Sequence, residues 1–373
     1  MFGTVLIAIF TALLGYVLLR ASSVPLLSRR IPGKGFLALY LGLWLVFFLG
    51  RTLGHDGTGI AAECIETAGM TLLGSVLLCA TALFFVDLAT CFGLLFSRWK
   101  GRLRGLGLAA GLVLSLIALV QAARPPAVVS YDVVLPGLPQ NLDGTVLAAV
   151  SDTHVSIRTP ESWLLKRLDR IRDLKPDILV FLGDIFEGHS SGPESVPALE
   201  GLSPRLGKWY VLGNHEFHSP ERISDPLRKA GFRRLADQWA EAAPGLILAG
   251  VDDLTTRRRR NLPGDPLGRA LAGRPPGATV LLSHTPWETE RAARAGVGLM
   301  LSGHTHGGQI WPFGYLVRLR YPLMAGRYEV MGMPVIMSRG LGTWGPPMRL
   351  WRRGEIVKVT LHAPGKEVSD GVR

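Results

Sequence analysis

The sequence predicts an α/β protein in two parts, an N-terminal transmembrane helical bundle followed by a layered α/β domain. Residues 1–121 are almost continuously apolar, whereas residues 124–373 have the mixed composition of a globular domain. From residue 145 to residue 361, short apolar runs alternate with segments of helical periodicity, an order typical of layered α/β folds. We therefore assign residues 1–123 to the bundle, 124–144 to a linker, 145–363 to the domain and 364–373 to a flexible tail.

Four apolar stretches of the bundle are candidate membrane spans: Phe2–Leu19, Phe36–Gly50, Gly69–Phe96 and Gly105–Val120. A spanning helix needs about 20 mostly apolar residues, so the second and fourth stretches need their neighbours to reach across. The third stretch contains Asp87, which is either a functional carboxylate inside the membrane or an ordinary residue beyond a helix that ends near Val86. We predict four spans, with two or three as the alternatives.

The charges of the loops predict how the bundle is oriented. The loops after the first and third stretches are basic, with Arg20, Arg29, Arg30 and Lys34 in one and Arg98, Lys100, Arg102 and Arg104 in the other. Cytoplasmic loops hold the excess of Lys and Arg. We therefore expect a multi-pass protein of the bacterial cytoplasmic membrane, with its C-terminal domain on the outer, periplasmic or extracellular, face. No positive charge precedes the first stretch, which is expected to be an uncleaved span.

Cysteine usage and net charge add weaker constraints. All three cysteines (Cys64, Cys79 and Cys91) lie in the bundle, so a domain without thiols is compatible with an oxidising compartment. The formal net charge is +12, and its densest run is Arg257–Arg260. For this run we favour a solvated loop or a contact with anionic lipid head groups over a nucleic-acid patch, and we expect no nucleic-acid partner.

The alternating segments of the domain can be assigned from their patterns. The expected helices are Pro160–Leu174, Pro220–Ala230 and Pro286–Ala295. The expected strands are Val146–Ser151, Ile178–Leu182, Trp209–Leu212, Leu246–Val251, Thr279–Leu282, Val297–Leu301, Tyr328–Met331, Val335–Ser338 and Ile356–Leu361. In α/β folds, ligands collect at the carboxyl ends of strands.

Five short motifs follow such strands and consist of residues that bind metals. They are Asp152-Thr153-His154, Gly183-Asp184, Gly213-Asn214-His215-Glu216, Ser283-His284 and Gly303-His304-Thr305-His306-Gly307-Gly308. In an extended segment, residues i and i+2 point the same way, so each Asp/His or His/His pair can converge on one small volume. Two divalent cations about 3.5–4 Å apart need a shared carboxylate and further ligands. The motifs therefore predict a two-metal phosphoesterase centre.

In this order, the motifs resemble those of the calcineurin-like metallophosphoesterase superfamily over residues 145–361. The resemblance implies an α/β/β/α domain. The tail Ser338-Arg339-Gly340-Leu341-Gly342, together with Gly308-Gln309, is similar to a narrower branch. That branch holds membrane-associated bacterial phosphoesterases related to UDP-2,3-diacylglucosamine pyrophosphate hydrolases.

The resemblance also implies a role for each motif residue. Asp152, His154 and His306 would hold the first metal, Asp184 would bridge, and Asn214, His284 and His304 would hold the second. His215 would face the substrate and donate a proton to the leaving oxygen. Gly183, Gly213 and Gly303 would give tight turns and let a phosphate approach the backbone. Mixed nitrogen and oxygen ligands favour Mn²⁺, with Fe or Zn as alternatives.

These implications predict a membrane-anchored hydrolase of phosphodiester or pyrophosphate bonds. The favoured substrate is amphiphilic or lipid-linked, and soluble nucleotide or cell-wall phosphodiesters are the alternative. A membrane sensor or scaffold that uses the fold as a binding module is the alternative outside the enzyme class. The aromatic segment 310–321, with Trp311, Phe313, Tyr315 and Tyr321, is expected at the rim of the site without touching the metals. It either meets lipid or packs as a loop.

Overall fold

The computed structural model describes residues 2–54, 57, 59–155, 159, 161–187, 199–218 and 227–365. The chain divides into two compact units. The helical unit comprises Met1–Arg124 and Gly345–Arg352, and the sheet unit comprises Pro125–Trp344 and Arg353–Arg373. Each unit is described by itself.

The helical unit is built from long apolar helices. Its helices are α1 (Phe2–Ala21), α2 (Pro25–Ser28), α3 (Gly33–Leu49), α4 (Ile60–Ala89) and α5 (Lys100–Ala123). Among the described residues, four helices are long and apolar enough to cross a membrane: Gly3–Ala21, Gly33–Gly54, Ile60–Ala89 and Lys100–Ala123. They overlap the four predicted stretches and extend the second and fourth to spanning length.

Glycines let α4 approach its neighbours closely. A Cβ atom on Gly69 would lie 3.2 Å from the Cα atom of Gly50, and one on Gly111 of α5 would lie 2.5 Å from the Cα atom of Cys79. Small residues at such crossings are typical of packed membrane helices. The predicted start of the third span at Gly69 is therefore wrong. Gly69 is a packing position inside a helix that begins at Ile60.

Asp87 lies inside α4 and is fully buried. Its carboxylate lies 2.6 Å from Arg20 Nε and 2.9 Å from Arg104 Nη2, and it accepts a hydrogen bond from the Tyr16 hydroxyl. Because a buried charge needs partners, these contacts hold α1, α4 and α5 together at one end of the unit. The helix continues to Ala89, so the alternative that Asp87 lies beyond a helix ending near Val86 is wrong.

The sheet unit contains, within the described residues, two six-stranded sheets. The strands are β1 (Ala127–Val134), β2 (Thr145–Val150), β3 (Ile178–Phe181), β4 (Lys208–Tyr210), β5 (Phe232–Arg234), β6 (Gln238–Ala243), β7 (Leu246–Val251), β8 (Ala278–Ser283), β9 (Leu299–Ser302), β10 (Gly326–Val330), β11 (Met333–Met337) and β12 (Glu355–His362). The first sheet has the order β1-β12-β2-β3-β4-β5, and the second has β10-β11-β9-β8-β7-β6. Strands β2 to β5 are parallel to one another, as are β7, β8, β9 and β11.

The two sheets face each other across the main core, and helices cover their outer faces. The helices of this unit are α6 (Glu161–Asp173), α7 (Leu254–Arg259), α8 (Pro266–Leu271), α9 (Thr289–Arg294) and α10 (Gly314–Arg320). In β2, Leu147 and Ala149 belong to the core between the sheets, whereas Ala148 and Val150 pack with α6. Helices α7, α8 and α9 cover the second sheet. The α/β/β/α layering is thus confirmed.

Several segments differ from the sequence prediction. Ala127–Val134, which we assigned to the linker, forms β1 and pairs in parallel with β12. Five elements were not predicted because each is short and has at most a weak amphipathic pattern: strands β5 and β6 and helices α7, α8 and α10. The N-terminal part of the predicted helix Pro220–Ala230 and most of the predicted tail 364–373 lie outside the described residues.

Candidate metal centre

The five motifs lie just beyond the carboxyl ends of five strands, β2, β3 and β4 in one sheet and β8 and β9 in the other. Backbone hydrogen bonds join their loops directly. The Asp152 N–H donates to the Gly183 carbonyl, the His154 N–H to the Asp184 carbonyl, and the Gly303 N–H to the His284 carbonyl. The side chains of both sheets therefore meet at one place.

A first cluster combines Asp152, His154 and His306. His306 Nε2 lies 3.3 Å from Asp152 Oδ1 and 3.1 Å from His154 Nε2. All three residues are buried. One carboxylate and two imidazoles within this distance can hold a divalent cation.

A second cluster combines Asp184, His284 and His304. His284 Nε2 lies 3.2 Å from Asp184 Oδ2 and 3.1 Å from His304 Nδ1. The structure thus separates the two histidines of the last motif, because His304 joins this cluster and His306 joins the first. We predicted that His304 and His306 would point the same way, as residues i and i+2 of an extended segment do. This motif does not follow that rule.

The reason is the backbone at the motifs, which is not extended. Five of these residues have positive φ angles: Asp152 (52°), His154 (45°), Asp184 (51°), His304 (72°) and His306 (51°). Such φ angles are uncommon for residues other than glycine and persist only where the surroundings impose them. Their concentration in one small region is a mark of a functional site.

Asp184 lies between the two clusters. Its Oδ2 atom is 3.2 Å from His284 Nε2 in the second cluster and 3.9 Å from His154 Nε2 in the first. Its Oδ1 atom accepts a hydrogen bond from the His215 N–H, 3.0 Å away. This bond fixes the rotation of the carboxylate, so a single oxygen faces both clusters.

Two buried oxygens at the centre have no hydrogen-bond donor among the described residues, Asp152 Oδ1 and Asn214 Oδ1. A buried acceptor without a donor costs about 1–3 kcal/mol. Asp152 Oδ1 faces His306, and Asn214 follows β4 in the loop that contacts Asp184. A cation at the first cluster would satisfy Asp152 Oδ1, so the donor set of that cluster fits a divalent metal. The assignment of Asn214 to the second metal stays a prediction.

Hydrogen bonds on the outer side of two histidines set which ring nitrogen faces inward. His284 Nδ1 lies 2.8 Å from the Leu182 carbonyl, and His304 Nε2 lies 2.8 Å from the Tyr321 hydroxyl. When Nδ1–H of His284 donates to that carbonyl, its Nε2 atom carries the free lone pair toward Asp184. Partners of this kind orient metal-binding histidines.

His215 stands beside both clusters and is held by a residue that we did not predict. Its Nε2 atom lies 3.9 Å from Asp184 Oδ2, and its Nδ1 atom lies 3.7 Å from Glu187 Oε1. The other oxygen of Glu187 lies 3.6 Å from His154 Nδ1. The sequence does show an acidic residue, Glu187, three positions after Asp184, and this could have indicated its role. Our prediction used only Gly183 and Asp184 in this segment.

Glu216 holds the loops of the centre in place. It is fully buried, and its carboxylate accepts hydrogen bonds from the N–H groups of Gly213 (2.7 Å), Asp184 (2.9 Å) and Phe186 (3.2 Å), and from that of Ile185. One side chain therefore joins the loops after β3 and β4.

The motif glycines allow the loops of the centre to pack closely against each other. A Cβ atom on Gly213 would lie 2.1 Å from Asp184 Oδ1, and one on Gly303 would lie 1.8 Å from Ser151 Oγ. Gly183, with φ of 93°, would place a Cβ atom 2.9 Å from His284 Nδ1. A larger residue at any of these positions would therefore displace a loop, and the approach of a phosphate to their backbone stays a prediction.

The tail motif supports the first cluster. The N–H groups of Leu341 and Gly342 donate to the carbonyls of Ser151 and Asp152, at 2.8 Å and 2.9 Å. Arg339 is anchored beside them by Glu355, which accepts from its backbone N–H and from its side chain. This segment therefore positions the loop that carries Asp152.

The buried acids and histidines shift one another's pKa values. Burial raises the pKa of Asp152 to about 6, with a further contribution from Asp184. Burial also opposes ionisation of Asp184, but the nearby His284 and His215 hold its pKa well below the usual value. Burial and the charge of His284 lower the pKa of His304 to about 4. Burial lowers the pKa of His284, but Asp184 and Asp152 outweigh it and raise that pKa well above the usual value. The centre therefore attracts positive charge to the position between its acids.

Aromatic side chains form two rims of the centre. On one side the ring of Trp344 lies 6.3 Å from that of His215, and Gln309 holds Trp344 through two hydrogen bonds to its backbone. On the other side the ring of Tyr321 lies 4.8 Å from that of His304. Segment 310–321 was expected at the rim of the site without touching the metals, and its Tyr321 hydrogen-bonds the candidate ligand His304 from the outer side.

Comparisons with known proteins agree with this geometry. The sequence profile of the calcineurin-like phosphoesterase family matches residues 145–308. A Danio rerio protein, transmembrane protein with metallophosphoesterase domain, is 32% identical over 367 residues, which are 91% of this chain and 82% of the relative. A Bos taurus protein of the same name is 33% identical over 274 residues, 67% of this chain and 60% of the relative.

A bacterial relative shares the same domain. An uncharacterized metallophosphoesterase of Aquifex aeolicus is 37% identical over 242 residues, 63% of this chain and 91% of the relative. The chain belongs to the calcineurin-like metallophosphoesterase family. It is a metal-dependent phosphoester hydrolase with transmembrane helices.

Proposed function

We propose that the chain is a membrane-anchored, dinuclear-metal phosphoesterase that hydrolyses phosphodiester or pyrophosphate bonds of an amphiphilic substrate. The observation that supports it most directly is the position of Asp184 Oδ2 between two clusters of ligand-type residues. A shared carboxylate is what two neighbouring cations require. The order of the motifs along the chain adds independent support.

In this proposal Asp152, His154 and His306 would hold one cation, and Asn214, His284 and His304 would hold the other. Asp184 would contribute to both positions. Mn²⁺ is favoured because the donor set mixes nitrogen and oxygen, and Fe or Zn are the alternatives. Bound cations would offset the negative charge of the phosphate oxygens and make water a better nucleophile near neutral pH.

His215 acts as the proton donor to the leaving oxygen. It is the histidine beside both clusters whose Nδ1 atom faces Glu187, while its backbone is fixed by Asp184. Burial lowers its pKa, but Asp184 and Glu187 outweigh that effect and raise it, which favours the protonated ring. A general acid must carry its proton when the substrate binds.

The amphiphilic substrate is supported by the surface of α10. Leu316 and Leu319 of this helix are 62% and 84% exposed, and Phe313 and Tyr315 are exposed beside them. Exposed apolar side chains on one short helix favour contact with acyl chains or a bilayer interface. The helix immediately precedes Tyr321, so lipid held there would be next to the second cluster.

The catalytic domain is proposed to lie on the outer face of a bacterial cytoplasmic membrane. The basic residues of the first and third loops support this orientation. A cytoplasmic nucleotide-sugar lipid would not reach such a site, so a lipid-linked phosphodiester exposed outside is the better match. Soluble nucleotide and wall-polymer diesters are the alternative substrates, and they belong in the substrate panel that tests the proposal.

Turnover by the full-length protein in detergent with Mn²⁺ tests the proposal. A panel of lipid-linked and soluble phosphodiesters should show metal-dependent hydrolysis that chelation abolishes. Asp184→Asn, which keeps the shape of the side chain but removes its charge, should lower turnover by at least about 10³-fold while circular dichroism stays unchanged. Turnover close to wild type in this variant would refute the two-metal assignment.

A further inference from the structure

Two arginines lie over a pair of stacked aromatic rings beside the second cluster. Trp287 and Tyr321 stack with their ring centroids 5.9 Å apart and their planes at 17°. The guanidinium groups of Arg320 and Arg258 lie over the Trp287 ring, at 4.7 Å and 5.5 Å from its centroid. Arg320 also lies 6.0 Å from the centroid of the Tyr321 ring. We name Arg258, Trp287, Arg320 and Tyr321 the arginine shelf.

The arginines of the shelf differ from their neighbours in having no acidic partner. Arg257 and Arg269 share Asp237, and Arg291 contacts Asp265 and Glu288. In the part of the chain that the structure describes, no carboxylate pairs with the side chain of Arg258 or Arg320. Stacking on an aromatic face orients a guanidinium group and leaves its N–H groups available at the edge.

The shelf lies beside a concave surface. A cleft of about 510 Å³ is lined by residues of α7, of the segment from Leu262 to Pro266 and of the loop before α9, including Arg257, Arg258, Trp287 and Glu288. On its other side, the Tyr321 hydroxyl is 2.8 Å from His304 Nε2. The ring of Tyr321 therefore lies between the arginines of the shelf and the second cluster. A molecule held at the metals by one phosphate can extend along this surface.

We propose that the arginine shelf binds a second phosphate group of the substrate, the one that is not cleaved. This inference rests on the proposed function and deepens it, because it assigns the substrate to compounds with two phosphates, such as a diphosphate or a diester with a phosphorylated arm. Guanidinium groups match phosphate oxygens in bidentate geometry and form charge-assisted hydrogen bonds. Free cationic side chains grouped beside a phosphoesterase centre suit this ligand better than a neutral one.

A matched pair of soluble substrates tests the proposal. Both are p-nitrophenyl phosphodiesters with a butyl chain as the second arm, and the chain ends in a phosphate in one and in a methyl group in the other. Wild-type protein should prefer the phosphate-tailed diester through a lower KM. In Arg258→Gln/Arg320→Gln, the ratio of the two kcat/KM values should fall about tenfold, since two exposed charge-assisted contacts are lost. The control is Arg318→Gln, which makes the same charge change at one other site on α10. It should leave the ratio unchanged.

Binding measured without turnover separates this proposal from the proposed function. Inorganic pyrophosphate is titrated by calorimetry into full-length protein treated with a chelator, so the metals make no contribution. Its affinity should fall about tenfold in Arg258→Gln/Arg320→Gln and not in Arg318→Gln. Equal pyrophosphate affinity in all three proteins would overturn the proposal that the arginine shelf binds phosphate. An unchanged ratio of the two kcat/KM values in Arg258→Gln/Arg320→Gln would do the same. If wild-type protein hydrolyses neither diester but pyrophosphate binding depends on the arginines, the subsite stands and the proposed function fails.

Discussion

Asp184 is the side chain on which both clusters depend. Its Oδ2 atom faces one histidine from each cluster, while its Oδ1 atom is fixed by the His215 N–H. The same residue therefore links the metal ligands to the candidate proton donor. A change at Asp184 should act on both, whereas a change at His215 should act on the proton alone.

His215→Ala should lower kcat by about 10²–10⁴-fold and leave metal content unchanged, because we assign it proton donation and not ligation. A diester with a p-nitrophenol leaving group needs little protonation and should be affected least. Rates for p-nitrophenyl and alkyl esters, with metal analysis of the same samples, check this. Loss of one metal equivalent would make His215 a ligand.

Glu187→Gln should lower kcat by roughly tenfold, since the carboxylate that orients His215 loses its charge but keeps its shape. If Glu187 acts through His215, the double variant Glu187→Gln/His215→Ala should be no slower than His215→Ala alone. Because Glu187 also faces His154, metal content serves as the control. Additive losses in the double variant would show a separate role for Glu187.

At the scale of the residue, the sequence was informative about which side chains meet but not about how they do so. Strong ligands placed after successive strands predicted the two clusters, since strand ends of an α/β fold converge. The family resemblance implied the division of His304 and His306 between the clusters, but no sequence pattern shows the positive φ angles that produce it. Glu187, Trp287 and Trp344 reach the site through loop conformations, so their place could not be predicted.

At the scale of the element, α10 brings an exposed apolar surface close to the centre. Leu316→Ser/Leu319→Ser should weaken turnover of a lipid-linked diester by about tenfold, since each leucine that leaves water contributes about 1.5–3 kcal/mol and only part of that is at stake here. A small soluble diester should be hydrolysed as before. The two turnover rates in the same detergent check this prediction.

The control for α10 is Met331→Ser, because Met331 is 62% exposed in the turn between β10 and β11. It should affect neither substrate. If the two leucine substitutions slow both diesters equally, α10 is structural and the amphiphilic substrate loses its support.

Elements like α10 were not predicted from the sequence because a short helix with exposed leucines has no buried stripe. Buried strands such as β7 were predicted to the residue, since a continuous apolar run bounded by turns is a strong signal.

At the scale of the whole molecule, the loop charges make a prediction about topology. A phosphatase reporter fused after Arg124 should be active outside the cytoplasmic membrane, and a reporter that works only in the cytoplasm should be silent there. Replacing the three basic residues Arg29, Arg30 and Lys34 by Gln should reduce this bias, because they carry the charge of the first loop. The opposite reporter pattern would place the domain in the cytoplasm and restore a cytoplasmic lipid precursor as a substrate.

The number of metal ions bound per chain tests the two-metal centre most directly. Full-length protein is loaded with Mn²⁺ in detergent, freed of excess metal and analysed by mass spectrometry of the elements. Wild type and His215→Ala should hold about two ions per chain, His284→Ala about one, and Asp184→Asn no more than about one, because the bridge serves both positions. About one ion in the wild type, or two in folded Asp184→Asn, would contradict the shared centre.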